Sequence, residues 1–466
     1  MDDIAKFLEP AVPEHHLDGP PLDAQEILRA DPILPPQTLL ETSDHVPAHK
    51  PISISRYTKR EFHDLEAEKM WGRVWQYASW TFDIPNPGDS TVYDNAGYSA
   101  VIVRQKDGSL KAFENSCPHR GRKLCTEDAN IKQIRCPYHA FVWGIDGDCR
   151  WIPAAWDFPQ FDRENLPLRE VKVDTWNGFI FVNFDPDAKP LADYLGKMVD
   201  QWKGWDFTKT RFRAVTAGKA CDANWKAVLD AFIETLHVTG THPEAAYLSS
   251  DTSTQYDTWE DEPHFSRFHS LVGMPSANLI ETPDNQETLD AFTSAYLPEV
   301  FGTEAGNLQE GENARAAIAR LSRAVYKERM GVDATDIPNS EVIDGTEYMV
   351  FPNMIVWPSF PNPLVYRFRP GKDQKTSYWE ISLFIPFEGE RPPSGETYHL
   401  EDGDKLADVP YFGGLGAILD QDVENLHYMQ EGLEANSSGV FHTARYQEQR
   451  IRHYHETLDR YLDGTL

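Results

Sequence analysis

Cys117-Pro118-His119-Arg120-Gly121 and, after a spacer, Cys136-Pro137-Tyr138-His139 present two thiolates and two imidazoles from two short loops. In each loop the Cys is followed directly by Pro. Thiolate is a soft ligand and imidazole a borderline one, so two of each can hold the two irons of a [2Fe–2S] cluster. Placing His rather than Cys on one iron raises the reduction potential well above that of an all-cysteine ferredoxin. A Cys2His2 zinc site keeps its cysteines together and its histidines together, whereas each loop here carries one of each. Zinc or a disulfide with two incidental histidines therefore fits the spacing less well.

Phe141, Trp143 and Asp146-Gly147 follow the second loop, and Trp75, Gly88-Asp89, Asp107-Gly108 and Phe113-Glu114-Asn115 precede the first. With these the stretch resembles a Rieske [2Fe–2S] domain. Such a domain leaves most of the 466 residues unexplained, so at least one further domain is expected.

Composition narrows what that domain can be. The chain is 40% hydrophobic, enough for sizeable cores. With 44 Lys and Arg against 74 Asp and Glu, its formal net charge of −30 argues against a nucleic-acid partner. No apolar run reaches the roughly eighteen residues of a membrane span, and the acidic, Pro-rich N-terminus does not read as a secretory signal. Five cysteines are too few for a disulfide scaffold. Cys125, Cys149 and Cys221 have no partner motif, and the cytoplasm is the expected compartment.

Residues 1–55, with Pro20-Pro21 and Pro35-Pro36, read as an extended arm with enough Leu and Ile to wrap a neighbouring subunit. Residues 56–190 form the Rieske domain with a leading helix. That helix is predicted to start at Thr58, where Thr58-Lys59-Arg60-Glu61 reads as a capping box. Strands follow at Val101–Val103, Leu110–Phe113 and Phe179–Val182, with turns at Asp107-Gly108 and Asp146-Gly147. Residues 191–466 form the second domain. Helices are expected over 224–238, 313–328, 420–433 and 446–462, and strands over 346–370 and 377–386. Residues 243–345 read as largely irregular loops around the pocket entrance, with Arg267 and Arg320 solvated on the surface. The fold class is α+β, an all-β cluster domain followed by an antiparallel sheet gripping long helices.

The second candidate site lies on the 224–238 segment. Asp230, Glu234 and His237 stand at i, i+4 and i+7 and would share one face of a continuous helix. Gly240 would end that helix, and His242 follows in the turn. Two histidines and one carboxylate with open positions form the facial triad of non-haem Fe(II) oxygenases.

Both sites in this order resemble the large (α) subunit of the Rieske non-haem iron ring-hydroxylating oxygenases. The resemblance implies a helix-grip catalytic domain with His237 and His242 as iron ligands. It aligns Asp422 with the carboxylate ligand, through Phe412-Gly413-Gly414-Leu415-Gly416 and the acidic stretch after it. Asp420 is the rival and Glu424 a third choice. Glu234 replaces the commoner Asp that, in the family, bridges across a subunit boundary to a cluster histidine, here His139. Asp230 would stand in the metal's outer sphere. Ala231, Val238, Phe412 and Ile418 would line the substrate pocket, with core packing as the competing reading. The implied protein is a terminal oxygenase in an assembly of three copies or a multiple of three. It would use O2 and electrons from a separate reductase or ferredoxin, which itself oxidises NAD(P)H. Its implied reaction is mono- or dihydroxylation of an aromatic or alicyclic substrate, as in aromatic hydrocarbon catabolism. Oxidative O- or N-demethylation is the alternative, and a non-catalytic electron-transfer or ligand-binding protein is the reading from another class.

Overall fold

The computed structural model describes residues 23–296, 306–359, 364–387, 389–401 and 403–466. Pro20-Pro21 and the first part of the expected arm fall outside this set. The described residues form two compact units. One comprises Glu61–Val199 and Leu458–Leu466, and the other the described residues up to Arg60 together with Asp200–Thr457.

The Glu61–Val199 unit is built on β-structure. Its larger sheet has seven strands, in the order Gln76–Trp80, Phe179–Asn183, Glu170–Trp176, Leu110–Glu114, Tyr98–Arg104, Asp89–Asn95 and Ala129–Asn130. A smaller sheet pairs Gln133–Arg135, Val142–Gly144 and Cys149–Trp151. Val101, Val103, Phe113, Phe141 and Trp143 are buried in one apolar cluster that also takes in Cys117 and Cys136. Gly147 closes the turn into the last short strand at φ +89°, where an added Cβ would lie 2.3 Å from the Phe113 ring. Both the backbone and the space there require glycine.

Thr58 does not open the leading helix. Ser55–Thr58 is a single helical turn, Lys59 is extended, and the next helix runs Arg60–Glu66 into a π-turn at Ala67–Trp71. The Thr58 hydroxyl donates to the Ile54 carbonyl at 3.1 Å, closing its own turn instead of capping the next.

In the other unit an eight-stranded sheet runs Gln255–Asp257, Phe265–Ser270, Gly345–Val350, Met354–Val356, Leu364–Pro370, Ser377–Pro386, Arg211–Cys221 and Thr397–Leu400. Every pairing is antiparallel except the last. Ser266, Met349, Ile355, Tyr366, Ile381 and Ala217 stand in register across six strands, and all are buried. Directly paired residues project to the same side, so this row marks one covered face. Phe232 packs on that face, with ring centroids 4.4 Å from Trp379 and 5.3 Å from Tyr366. The segment bearing the second site is thereby anchored to the sheet.

Three features differ from the sequence reading. Residues 23–50 are not an extended arm: Ala24–Ala30 is a helix capped by Asp23, Leu28 and Leu39 are buried, and Asp31 pairs with Arg315 at 2.6 Å. Arg267 is not on the surface. It is fully buried, paired with Asp257 at 2.6 Å, and it donates to the carbonyls of Thr38 and Glu41. Arg320, as expected, stays partly exposed, paired with Glu312 at 2.8 Å. Besides the expected helix, which runs Ala314–Met330 and is capped by Asn313, residues 243–345 contain two strands of the sheet and the helix Asn285–Tyr296. The polar residues that made this stretch look like loop are partners in buried ion pairs and caps.

Trp379 is fully buried and in contact with Phe232, Tyr366 and Phe368. Trp379→Ala is expected to destabilise this unit by about 3–5 kcal/mol, the usual cost of deleting a large buried aromatic. Chemical denaturation followed by circular dichroism measures it.

Candidate metal centres

Two five-residue turns present the first set of ligand atoms. The Gly121 amide donates to the Cys117 carbonyl at 2.8 Å, and the Ala140 amide to the Cys136 carbonyl at 3.0 Å. Gly121 and Ala140 both take positive φ, +73° and +62°. Each loop therefore folds back on its own cysteine and holds that Cys and the His after it on one side. Cys117 and Cys136 are buried and form no disulfide. The rings of His119 and His139 lie 4.7 Å apart, with Phe141 stacked on His119 at 4.9 Å. The Nδ1 atoms of both histidines are buried and have no hydrogen-bond partner among the described residues. A buried ring nitrogen without a partner is costly. Two such nitrogens beside two buried thiols match the donor set of a two-iron cluster with mixed Cys and His ligands.

The second set rests on an interrupted helix. Trp225–Asp230 is helical and capped by Asn224, and Val238–Thr241 is a separate turn. The continuous helix predicted over 224–238 does not form, and Gly240 lies inside the second turn instead of ending the first. The Glu234 carboxylate is the local cause. It accepts from the backbone amides of Leu236 and His237, an arrangement that competes with helical bonding. The i, i+4, i+7 face is therefore not what assembles the site. The break turns His237 and His242 toward each other, with ring centroids 5.3 Å apart.

The helix supplying the carboxylate starts at Gly413, not near Asp420, and runs to Ala435. Asp422 lies well inside it, buried, and its Oδ1 is 3.1 Å from His242 Nε2 and 3.6 Å from His237 Nε2. Asp420 projects elsewhere, accepting from the amides of Leu406 and Ala407. Two residues along a helix are about 200° apart, so Asp420 and Asp422 serve opposite sides. Glu424 is exposed. His237, His242 and Asp422 each offer one atom, all within 4.8 Å of one another, and no other such group occurs among the described residues.

Neighbouring groups fix the rings. His237 Nδ1–H donates to Glu234 Oε1 at 2.6 Å, and His242 Nδ1–H to Gln421 Oε1 at 2.6 Å. The Gln421 amide is itself held by donating to Glu244 Oε1 at 2.9 Å. With both Nδ1 atoms carrying hydrogen, both Nε2 lone pairs aim at Asp422, the tautomer a metal ligand needs. Burial alone would lower the pKa of His237, but Glu234, then Asp422 and Asp251, raise it to about 9. Without a metal a proton therefore sits on Nε2, in the place a metal ion would take on binding.

Gln421 gave no signal in the sequence beyond standing next to Asp422. Asp230 is buried, but its recorded bond goes to Tyr57 and not to His237, His242 or Asp422. Among the expected pocket residues Phe412 is buried, and Ala231, Val238 and Ile418 are partly covered.

The family model for the ring hydroxylating alpha subunit (catalytic domain) matches residues 200–464, and that for the Rieske [2Fe-2S] domain matches residues 74–162. The chain belongs to the ring-hydroxylating α-subunit family. One relative is the carnitine monooxygenase oxygenase subunit of Acinetobacter pittii, 28% identical over 216 residues, or 45% of this chain and 58% of that protein. The chlorobenzene dioxygenase subunit alpha of a Cupriavidus strain is 36% identical over 143 residues, 30% of this chain and 32% of its own length. The matched stretches thus span only part of the curated relatives. A quaternary ammonium Rieske monooxygenase solved with L-carnitine shares the fold, with a TM-score of 0.60 at 19% identity, covering 89% of this chain and 96% of that one. The expected α+β class agrees with these two domain families and with that shared fold. Among the described residues no helix is long and apolar enough to cross a membrane.

Asp422→Ala is expected to lower iron from about three to about two per chain, with two labile sulfides retained, because the cluster loops are untouched. Asp420→Asn should keep the full complement. Metal and sulfide analysis of protein purified without oxygen separates the two.

Proposed function

We propose that this chain is the terminal oxygenase subunit of a Rieske oxygenase system. The observation that carries the reading is the convergence of His237 Nε2, His242 Nε2 and Asp422 Oδ1 in a buried space, on a chain that also carries the Cys117, His119, Cys136 and His139 set. When bound, the [2Fe–2S] cluster passes electrons singly and the mononuclear Fe(II) offers an open face for activating O2.

The residues have separable tasks. Glu234 and Gln421 hold the ring hydrogens of His237 and His242, so both lone pairs stay directed at one point. Asp422 adds the anionic donor, and its burial removes competing water. Glu234 has both oxygens engaged within its own segment. Carboxylate oxygens carry further lone pairs, which leaves room for the expected bridge to a cluster histidine of a neighbouring copy. That bridge implies a homotrimer or a multiple of it. Electrons would come from a separate reductase or ferredoxin drawing on NAD(P)H, and the cytoplasm suits a protein of this charge.

The substrate is a small organic molecule, hydroxylated once or twice, and an aromatic or alicyclic compound is the primary reading. A quaternary ammonium substrate is the second, favoured by the likeness to carnitine monooxygenase. Relatives named as monooxygenases and dioxygenases do not favour oxidative demethylation as a separate reading.

His237→Ala should abolish product formation while the dithionite-reduced Rieske electron paramagnetic resonance signal survives. Continued turnover would sink the assignment. Glu234→Gln keeps the shape but weakens the grip on His237, and should lower iron affinity or turnover about 10- to 100-fold. Chromatographic product analysis of aromatic and quaternary ammonium panels, with an electron donor supplied, reads both.

A further inference from the structure

Asp230, the last residue of the helix Trp225–Asp230, is part of a buried chain that the metal ligands do not explain. The Tyr57 hydroxyl donates to Asp230 Oδ2 at 2.5 Å, and the Tyr57 oxygen lies 2.7 Å from His455 Nε2. On the far side of that ring, Arg56 Nη1 is 3.4 Å from His455 Nδ1. These groups come from residues 55–58, 225–230 and 449–462, three stretches far apart in sequence.

The hydrogens follow from the donors. Arg56 can only donate, so His455 Nδ1 is the acceptor and the ring hydrogen sits on Nε2. That N–H donates to the Tyr57 oxygen, whose own hydrogen goes to Asp230. Every link points inward, from the partly exposed Arg56 to the buried Asp230. At its inner end Asp230 Oδ1 is buried without a hydrogen-bond partner among the described residues. A buried carboxylate oxygen without a partner is costly and calls for an explanation.

We propose that Asp230, Tyr57 and His455 form a proton relay serving the oxygenase centre, an inference that rests on the function proposed above. Each transfer moves one proton. His455 Nδ1 exchanges its long contact with Arg56 for a proton from solvent, Nε2–H passes to the Tyr57 oxygen, and the Tyr57 hydrogen passes to Asp230. The phenol is restored, the imidazole ends as the other neutral tautomer, and the carboxylate becomes a carboxylic acid. Return of the imidazole to its first tautomer resets the chain. Reduction of O2 consumes protons as well as electrons, and Asp230 lies close enough to Glu234, which orients His237, for the Glu234 charge to act on it.

The surrounding charges suit this task. Burial raises Asp230 to about 7, against the hydrogen bond from Tyr57 and the Lys226 charge, with Glu448 and Glu234 adding to the rise. Asp230 can therefore take and release a proton near neutrality. Burial, Arg56 and Lys226 hold His455 well below its usual value, so the ring stays neutral. Burial and Asp230, with Tyr454 adding, keep Tyr57 a phenol and outweigh Arg56.

The test uses full-length protein carrying its cluster and iron. Infrared difference spectra between acidic and alkaline samples should contain a carboxylic-acid band that Asp230→Asn removes and Tyr57→Phe shifts; the lack of any Asp230-dependent band overturns the relay. Dithionite-reduced protein is then mixed with O2, and cluster re-oxidation is followed in H2O and D2O. Tyr57→Phe should slow re-oxidation about tenfold and flatten its pH dependence around neutrality, with cluster absorption and melting midpoint unchanged. A wild-type rate and pH profile in this variant overturns the proposal. Should Tyr57→Phe fold poorly, Asp230→Asn provides the same comparison at constant side-chain volume. If O2 does not re-oxidise the wild type, the infrared result alone decides the relay, and the oxygenase reading is decided by the His237→Ala comparison above.

Discussion

Three electron-rich atoms, His237 Nε2, His242 Nε2 and Asp422 Oδ1, are crowded within 4.8 Å in a space that is largely closed to water. Left alone they repel, and apolar packing has no means of holding them together. Only a proton or a metal ion between them makes the arrangement favourable. The chain accepts that constraint by tying each ring from behind, Glu234 to His237 and Gln421 to His242. Much of the surrounding structure serves to keep those ties in place. The helix breaks after Asp230, the helix Gly413–Ala435 brings Asp422 inward, and Phe232 is locked on the aromatic face of the sheet.

The cluster loops solve the opposite problem. Their thiols are buried among Val101, Phe113, Phe141 and Trp143, where a charged sulfur is costly unless bound. Their flanking residues Pro118, Arg120, Pro137 and Tyr138 are exposed. One end of the loop pair is thus dry and the other open to solvent. A one-electron carrier needs that asymmetry, with a shielded redox group close to the surface that its donor approaches.

A chain with a formal charge of −30 does not keep its charges outside. Arg267 with Asp257, Arg450 with Glu347, and Arg315 with Asp31 and Asp344 are buried ion pairs in the catalytic unit. Arg450–Glu347 and Arg315–Asp31 join segments distant in sequence, Arg267–Asp257 joins adjacent strands, and each is directional, so together they fix which strand or helix sits where. Removing one partner would strand a buried charge. Asp31 shows the reach of this scheme: through it the segment before residue 50 becomes part of the unit and not a free arm.

The metal chemistry was legible in the sequence because ligand type and close spacing are local properties. Cys-Pro-His and Cys-Pro-Tyr-His, and the interval from His237 to His242, need no distant contact to be recognised, and the strands of the cluster domain follow from alternation and turn residues. The choice of Asp422 over Asp420 also has a local root, since neighbours two apart on a helix face opposite ways. Which of the two faces inward, however, depends on where Gly413–Ala435 packs. The rest lay beyond the sequence for one physical reason. A buried polar group is satisfied by whatever folding brings beside it, and no periodicity records that partner. Arg267 looked solvated until Asp257 met it in the interior, Glu234 looked like one rung of a helix that its own carboxylate interrupts, and Tyr57 and His455 become neighbours only when chain positions nearly four hundred residues apart close around Asp230.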